Sequence, residues 1–219
     1  MRILIVAATA LEVGPLVANL GDTSARGPRL TTSTYAGNNV DVLVTGVGMV
    51  STAAWCSRVL SQTRYDLGLN VGVCGTFDPA IGLGEVVHVV SDRIAELGAE
   101  DDDTFLTIQE LTLPGEDAFV NTAPPRNAAL NSLPAVRGIT VNTVHGNARS
   151  IDAVIQRFAP QIESMEGAAF MYACVIHALP FAQVRAVSNI VEKRNLEAWN
   201  LGEAIANLNR CAQGILEHL

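Results

Sequence analysis

Five residues of this 219-residue chain have the types and placement to work on a small polar ligand: Glu12, Glu166, Arg185, Ser188 and Asn189. Glu166 stands in Ser164-Met165-Glu166-Gly167-Ala168-Ala169, opening a run of small and apolar residues with helical character. A carboxylate at a helix start is favoured by the macrodipole. A second run, Phe181-Ala182-Gln183-Val184-Arg185-Ala186-Val187-Ser188-Asn189, reads as a strand that delivers its polar residues to its C-terminal end. In open α/β sheets the strand C-termini are where ligands bind. Charged side chains are rarely buried unless they are paired or working. Glu12 follows the first strand directly and so belongs at the same sheet edge. Two carboxylates around a sugar suit cleavage of a glycosidic bond: one activates water, the other stabilises an oxocarbenium-like sugar.

Elements must hold these residues in place. Residues 2–8 read as a buried strand, followed by a helix over Leu11–Leu20. Strands are expected over Leu30–Ala36 and Val40–Thr45, with Gly37-Asn38-Asn39 as a hairpin turn. A helix over Ser51–Gln62 precedes a buried strand over Asp66–Val73, and Gly84–Ile94 is a further strand. Residues 98–136, rich in acidic residues, Pro and Asn, read as an irregular insertion or site cover. A strand over Val136–Val144, helices over Ser150–Phe158 and Gly167–Ala178, and a terminal amphipathic helix over Leu201–Leu219 complete the reading. Strands alternating with helices define an α/β class with a substantially parallel sheet. The expectation is one domain over residues 1–219.

Composition sets the bounds. A hydrophobic fraction of 49% against 16% charged residues fits a globular chain with a large core. A net charge of −8 lacks the basic footprint that nucleic acid requires. No apolar run reaches the ~18 residues of a membrane span. The apolar N-terminus is cut short by Glu12 and reads as a first strand rather than a signal peptide. Cys56, Cys74, Cys174 and Cys211 form no C-x-x-C pair, so buried free thiols in a reducing, cytoplasmic compartment are expected.

Other chemistries lack their motifs. Gly46-Val47-Gly48 between a strand and a helix has neither a third glycine nor a Lys-Ser/Thr pair, and reads as a tight turn. His88, His145, His177 and His218 have no metal-ligand spacing, so no metal and no cofactor is expected. There is no G-x-S-x-G elbow, and Asp101-Asp102-Asp103 reads as a solvated loop.

Glu12 within Ala8-Thr9-Ala10-Leu11-Glu12-Val13, the Ser164–Ala169 segment and Arg185-Ala186-Val187-Ser188-Asn189 together resemble the purine nucleoside phosphorylase and nucleosidase superfamily. In pattern they are similar to its methylthioadenosine/S-adenosylhomocysteine nucleosidases. The resemblance implies a three-layer α/β/α sandwich around a mixed, partly barrel-like central sheet, in a homodimer or larger homo-oligomer. It implies a small-molecule nucleoside as substrate and water as nucleophile. Glu12 would hold the water, with Arg185 orienting carboxylate or water, Met165 beneath the ribose and Glu166 accepting from its hydroxyls.

The chain departs from the adenine-cleaving pattern where Asn189 replaces an aspartate after Ser188. An amide offers NH₂ to a 6-oxo oxygen and its carbonyl to N7–H, which suits hypoxanthine or guanine. Asn189 with the following Ile190-Val191-Glu192-Lys193-Arg194-Asn195 and Trp199 is similar to the futalosine-cleaving nucleosidases of menaquinone biosynthesis. These remove hypoxanthine from a nucleoside that carries a benzoate on its 5′ side. Arg194, Arg149 and Trp199 are the candidates for that end. Val73-Cys74-Gly75-Thr76 and the loop holding Val144 and His145 would border the base. Alternatives are an adenine- or inosine-type nucleosidase, a phosphorylase of the same fold, or a non-catalytic nucleoside-binding module. A phosphorylase is disfavoured, because Ala7–Asn19 holds no arginine and Glu12 would repel phosphate.

Overall fold

The first strand, β1 (Arg2–Ala7), shows how the molecule is layered. Ile3 and Ile5 pack into one core cluster, whereas Leu4 and Val6 pack into another on the opposite face. A strand whose alternate residues are all apolar must be covered on both sides. In this computed structural model, which describes residues 1–219, helices provide that cover on both faces.

On one side lie α1 (Ala10–Asn19), the short α3 (Ala128–Asn131) and the C-terminal α6 (Leu201–Glu217). Leu16, Leu208 and Ile215 are their buried contributions. On the other lie α2 (Met49–Gln62) and α5 (Gly167–Ile176), with Cys56, Phe170 and Cys174 buried against the sheet. A smaller cluster seats α4 (Ala148–Phe158) through Val154 on Ile139 and Val141. The architecture is a three-layer α/β/α sandwich with a mixed central sheet.

The remaining strands of that sheet are β2 (Ser24–Ala25), β3 (Leu30–Tyr35), β4 (Asn38–Val44), β5 (Leu67–Thr76), β6 (Val86–Ile94), β9 (Ala118–Val120), β10 (Ala135–Thr140), β11 (Ile162–Ser164) and β12 (Phe181–Ile190). Their order is β11-β10-β6-β12-β5-β1-β4-β3-β2, with β9 on β6. The neighbours of β1, namely β4 and β5, run parallel to it, as does β12 to β5. One end of the sheet curls back: β11 also pairs antiparallel with β5, through Ile162 with Thr76 and Glu163 with Gly75. Strands β5, β12, β6, β10 and β11 thereby form a closed ring.

Residues 98–136 hold more structure than their composition suggests. They contain a separate hairpin of β7 (Gly98–Asp101) and β8 (Thr104–Thr107), the strand β9 and the helix α3. Asp102 turns the hairpin with a positive φ of 54°, a conformation that Asp tolerates better than most residues. The two strands that matter most for a site also run further than their apolar stretches indicate, β5 to Thr76 and β12 to Ile190. Their polar ends are held by pairing with each other, which local composition does not reveal.

Candidate active site

Glu12 is placed by the start of α1. Thr9 caps the helix and Glu12 closes a capping box: its Oε2 accepts from both the N–H and the hydroxyl of Thr9, each at 2.9 Å. Its Oε1 accepts from the Val73 N–H of β5 at 3.1 Å. The side chain is only 7% exposed, and that exposure faces a cavity of about 450 Å³.

Glu166 reaches the same cavity from the N-cap of α5, though its carboxylate does not cap its own helix. Its Oε1 accepts from the Gly48 N–H at 3.1 Å, so the Gly46–Gly48 turn serves as a clamp on Glu166. The positive φ of Gly48, 97°, presents that N–H and favours glycine there. Its Oε2 accepts from Arg185 Nη1 at 3.5 Å. Burial pushes the Glu166 pKa up, opposed by the Arg185 charge and the Gly48 N–H and assisted by the Glu12 charge.

Arg185 lies beneath the cavity floor rather than in its wall. It is 1% exposed, and Nη2 donates to Asn70 Oδ1 at 2.6 Å. Nη1 presses on Gly72 of β5, where any Cβ would overlap it and come within 2.9 Å of Glu12 Oε1. Gly72 therefore makes room for the guanidinium that pairs with Glu166. A buried pair of this kind is tolerable because each charge faces an opposite one.

Asn189 is aimed by a β-bulge. Arg185 pairs with Gly72, and Asn189 with Gly75, so β12 spends one more residue than β5 between these points, with the break around Ser188. Bulges next to active sites re-aim side chains in this way. The Ser188 hydroxyl, 1% exposed, sits 3.1 Å from the Cys74 carbonyl and 2.9 Å from Asn189 Oδ1. Asn189 Nδ2 donates to the Ile190 carbonyl at 3.0 Å, which leaves its second N–H for a ligand.

The same cavity is lined by Met165, Val73, Cys74, Gly75, Ser188, Val144, His145, Arg194 and Trp199, together with Glu12, Glu166 and Asn189. Arg185 supports it from below. Arg149 is exposed on α4 and lines none of it, which removes it as a candidate for the benzoate end. Burial raises the Cys74 thiol to about 12, so that side chain is a neutral wall and not a nucleophile. Arg194 stacks over Trp199 at 5.7 Å. Leu11, Val47, Leu201 and Ile205 add an apolar wall.

Sequence reasoning missed Glu163. It is 4% exposed, lines the cavity, accepts from the His145 N–H at 3.1 Å and binds His145 Nδ1 at 2.6 Å. A carboxylate in the short run Gln161-Ile162-Glu163-Ser164, just before the Met165-Glu166 pair, was the available signal. It carries weight only once Ile162–Ser164 is known to be a strand of the ring. Thr9, Asn70 and Gly48 were missed because each acts only through the residue it holds.

A closed strand ring, flanking helices and a cavity lined by Glu12, Glu163 and Glu166 define a mixed α/β sandwich with a polar site at one edge of its sheet. The chain belongs to the phosphorylase superfamily, whose sequence profile matches residues 2–219. It is 34% identical over 176 residues to a futalosine hydrolase of Streptomyces coelicolor, covering 77% of this chain and 74% of that one. It is 28% identical over 213 residues to a 5′-methylthioadenosine/S-adenosylhomocysteine nucleosidase of Lysinibacillus sphaericus, covering 89% of each. The native structure of futalosine hydrolase of Helicobacter pylori superimposes with a TM-score of 0.83 at 13% identity, over 100% of this chain and 98% of that one.

Proposed function

We propose that this protein is an N-ribosyl hydrolase that cleaves futalosine, releasing hypoxanthine and dehypoxanthine futalosine for menaquinone biosynthesis. The observation that carries the reading is one cavity holding Glu12, Glu166 and an amide, Asn189, at the base end. The 34% identical relative, itself a futalosine hydrolase, supports the same substrate.

In this reading Glu12 is the general base. Its Oε2 is committed to Thr9, and its Oε1 keeps lone-pair capacity beside the Val73 N–H for a water aimed at the anomeric carbon. Glu166 accepts from the ribose hydroxyls. Those bonds strengthen as the sugar gains positive charge, so they favour the transition state over the ground state. Met165 packs under the ribose. Asn189, oriented by Ser188, hydrogen-bonds the 6-oxo and N7 edge of the base. At the far end the apolar wall, Trp199 and Arg194 receive the benzoate. No metal or cofactor enters the mechanism.

A phosphorylase would need a free cation near the nucleophile. Arg29, packed at the Gly46 turn, spends its Nη1 on the carbonyls of Thr45 at 2.6 Å and Val44 at 3.3 Å. Arg185 is held by Asn70 and Glu166. We read residues 1–219 as one domain, supported by the sheet that most of its strands share. Four unpaired cysteines support a cytoplasmic location, and the exposed Val50, Tyr172, Val175 and Ile176 on α2 and α5 support a homodimer or larger assembly.

The test is incubation with futalosine, inosine and methylthioadenosine, with and without phosphate, and identification of the released base. Hypoxanthine from futalosine at a phosphate-independent rate is expected. Faster adenine release from methylthioadenosine, or a requirement for phosphate, overturns the reading.

A further inference from the structure

Breaking the C1′–N9 bond sends an electron pair into the purine, and an amide such as Asn189 has no proton to give it. We propose that His145, held by Glu163, is the acid that protonates the departing base. This inference rests on the functional reading above.

The placement comes from sheet register. Gly75 of β5 pairs with Asn189 of β12 on one side and with Glu163 of β11 on the other. A Cβ on Gly75 would meet Val191 Cγ2 at 2.8 Å, Asn189 Nδ2 at 3.1 Å and Glu163 Cγ at 3.6 Å, so the amide and the carboxylate flank the same point of β5, with Val191 packed against it. A flat base in the cavity that Gly75, Asn189, Glu163 and His145 line meets the amide at one flank and the carboxylate–imidazole pair at the other.

The pair is built as an acid. One Glu163 oxygen accepts from the His145 backbone N–H at 3.1 Å and the other from ring Nδ1 at 2.6 Å. Two bonds from one carboxylate fix both the loop and the ring. They assign the proton at Nδ1 and leave Nε2 for a ligand. Phe77 packs edge-on to the imidazole, with centroids 6.2 Å apart. His145 and Glu163 both line the cavity.

The step balances. Water oxygen bonds to C1′ and its proton passes to Glu12. The C1′–N9 bond breaks and its electron pair enters the purine. The imidazolium Nε2 proton goes to purine N3, on the flank opposite the N7–O6 edge that Asn189 holds, so neutral hypoxanthine leaves and neutral His145 stays bound to Glu163. Solvent then takes the proton from Glu12 and returns one to His145.

The experiment compares wild type with His145→Gln, which keeps a side chain able to bind Glu163, and with Glu163→Gln. Hypoxanthine release from futalosine is set against release of 4-nitrophenolate from 4-nitrophenyl riboside, a leaving group that departs without a proton. His145→Gln is expected to lower kcat on futalosine by about 10²–10⁴-fold with KM little changed. Its rate on the aryl riboside should stay within about threefold. Glu163→Gln should lower kcat on futalosine with the same contrast.

In wild type kcat/KM should fall at high pH, and in His145→Gln that limb should vanish. The other charged groups around the ring are Glu163, the carboxylates Glu96, Glu100, Asp102 and Asp103, Arg157, and Glu192 with Arg194 across the cavity. All are common to wild type and His145→Gln, so they cannot remove the limb. Equal losses on both substrates, or an unchanged basic limb, overturn the inference. If the wild type does not turn over the aryl riboside, the pH comparison decides. Wild-type inactivity on every nucleoside overturns the functional reading instead.

Discussion

In the proposed reaction, Asn189 is the residue on which base choice turns. Its Oδ1 accepts from the Ser188 hydroxyl and its Nδ2 donates to the Ile190 carbonyl, so the amide is oriented before any ligand arrives. Asn189→Asp exchanges a donor for an acceptor, and a buried polar mismatch costs ~1–3 kcal/mol. The ratio of kcat/KM for hypoxanthine over adenine nucleosides should therefore fall by about 10–100-fold, measured with futalosine and its adenine analogue. An unchanged ratio would detach base choice from this position. Much of this was legible in the chain. Glu12, Glu166 and Asn189 stand next to strand and helix signals that place them at one sheet edge. Glu163 was not legible, because its partner His145 lies 18 residues earlier and only the fold brings them together.

The strand β5 governs how these residues meet. Gly72 leaves room for the Arg185 guanidinium beside Glu12 Oε1, and Gly75 leaves room for Val191, with Asn189 and Glu163 paired on either side of it. A methyl group at position 72 would displace the guanidinium and, through it, Glu166 and Glu12. Gly72→Ala should lower kcat by about 10²-fold or more, since small misplacements of catalytic groups cost that much. Circular dichroism should show an intact α/β spectrum in the same sample. A variant with full turnover would refute the role assigned to this glycine. The strand itself was readable from its apolar run. Its last residues and the bulge facing them were not, because a bulge is a property of two paired strands and leaves no periodicity in either.

Across the whole molecule, the buried polar layer under α5 sets how stability responds to pH. Asp92 is 2% exposed and lies where a Cβ on Gly167 would overlap it. It accepts from the Thr140 hydroxyl at 2.8 Å and Gln183 Nε2 at 2.9 Å, while Gln183 Oε1 has no partner. Burial raises its pKa from 3.8 to about 6, outweighing those bonds and the Arg185 charge. A carboxyl with a raised folded pKa adds stability that is complete below its unfolded value and disappears as pH rises through about 6. Asp92→Asn removes that dependence and offers an amide N–H to Gln183 Oε1. In urea unfolding, the variant should gain on the wild type by roughly 2–3 kcal/mol between pH 4 and pH 8. A difference independent of pH would rule Asp92 out as the source. The α/β class was legible from alternating strands and helices and the three-layer plan from the family resemblance, but this polar layer was not, since Asp92, Thr140 and Gln183 are dispersed along the chain. The closing of the strand ring has one more consequence. The seam between β5 and β11 spans only two residue pairs, and one of them joins Gly75 to Glu163. Mending and catalysis share that stitch. Any slow breathing of the seam would carry Glu163 away from the cavity, and the Phe77 N–H, which donates to the Gln161 carbonyl at 2.9 Å beside it, would report each opening through its amide exchange.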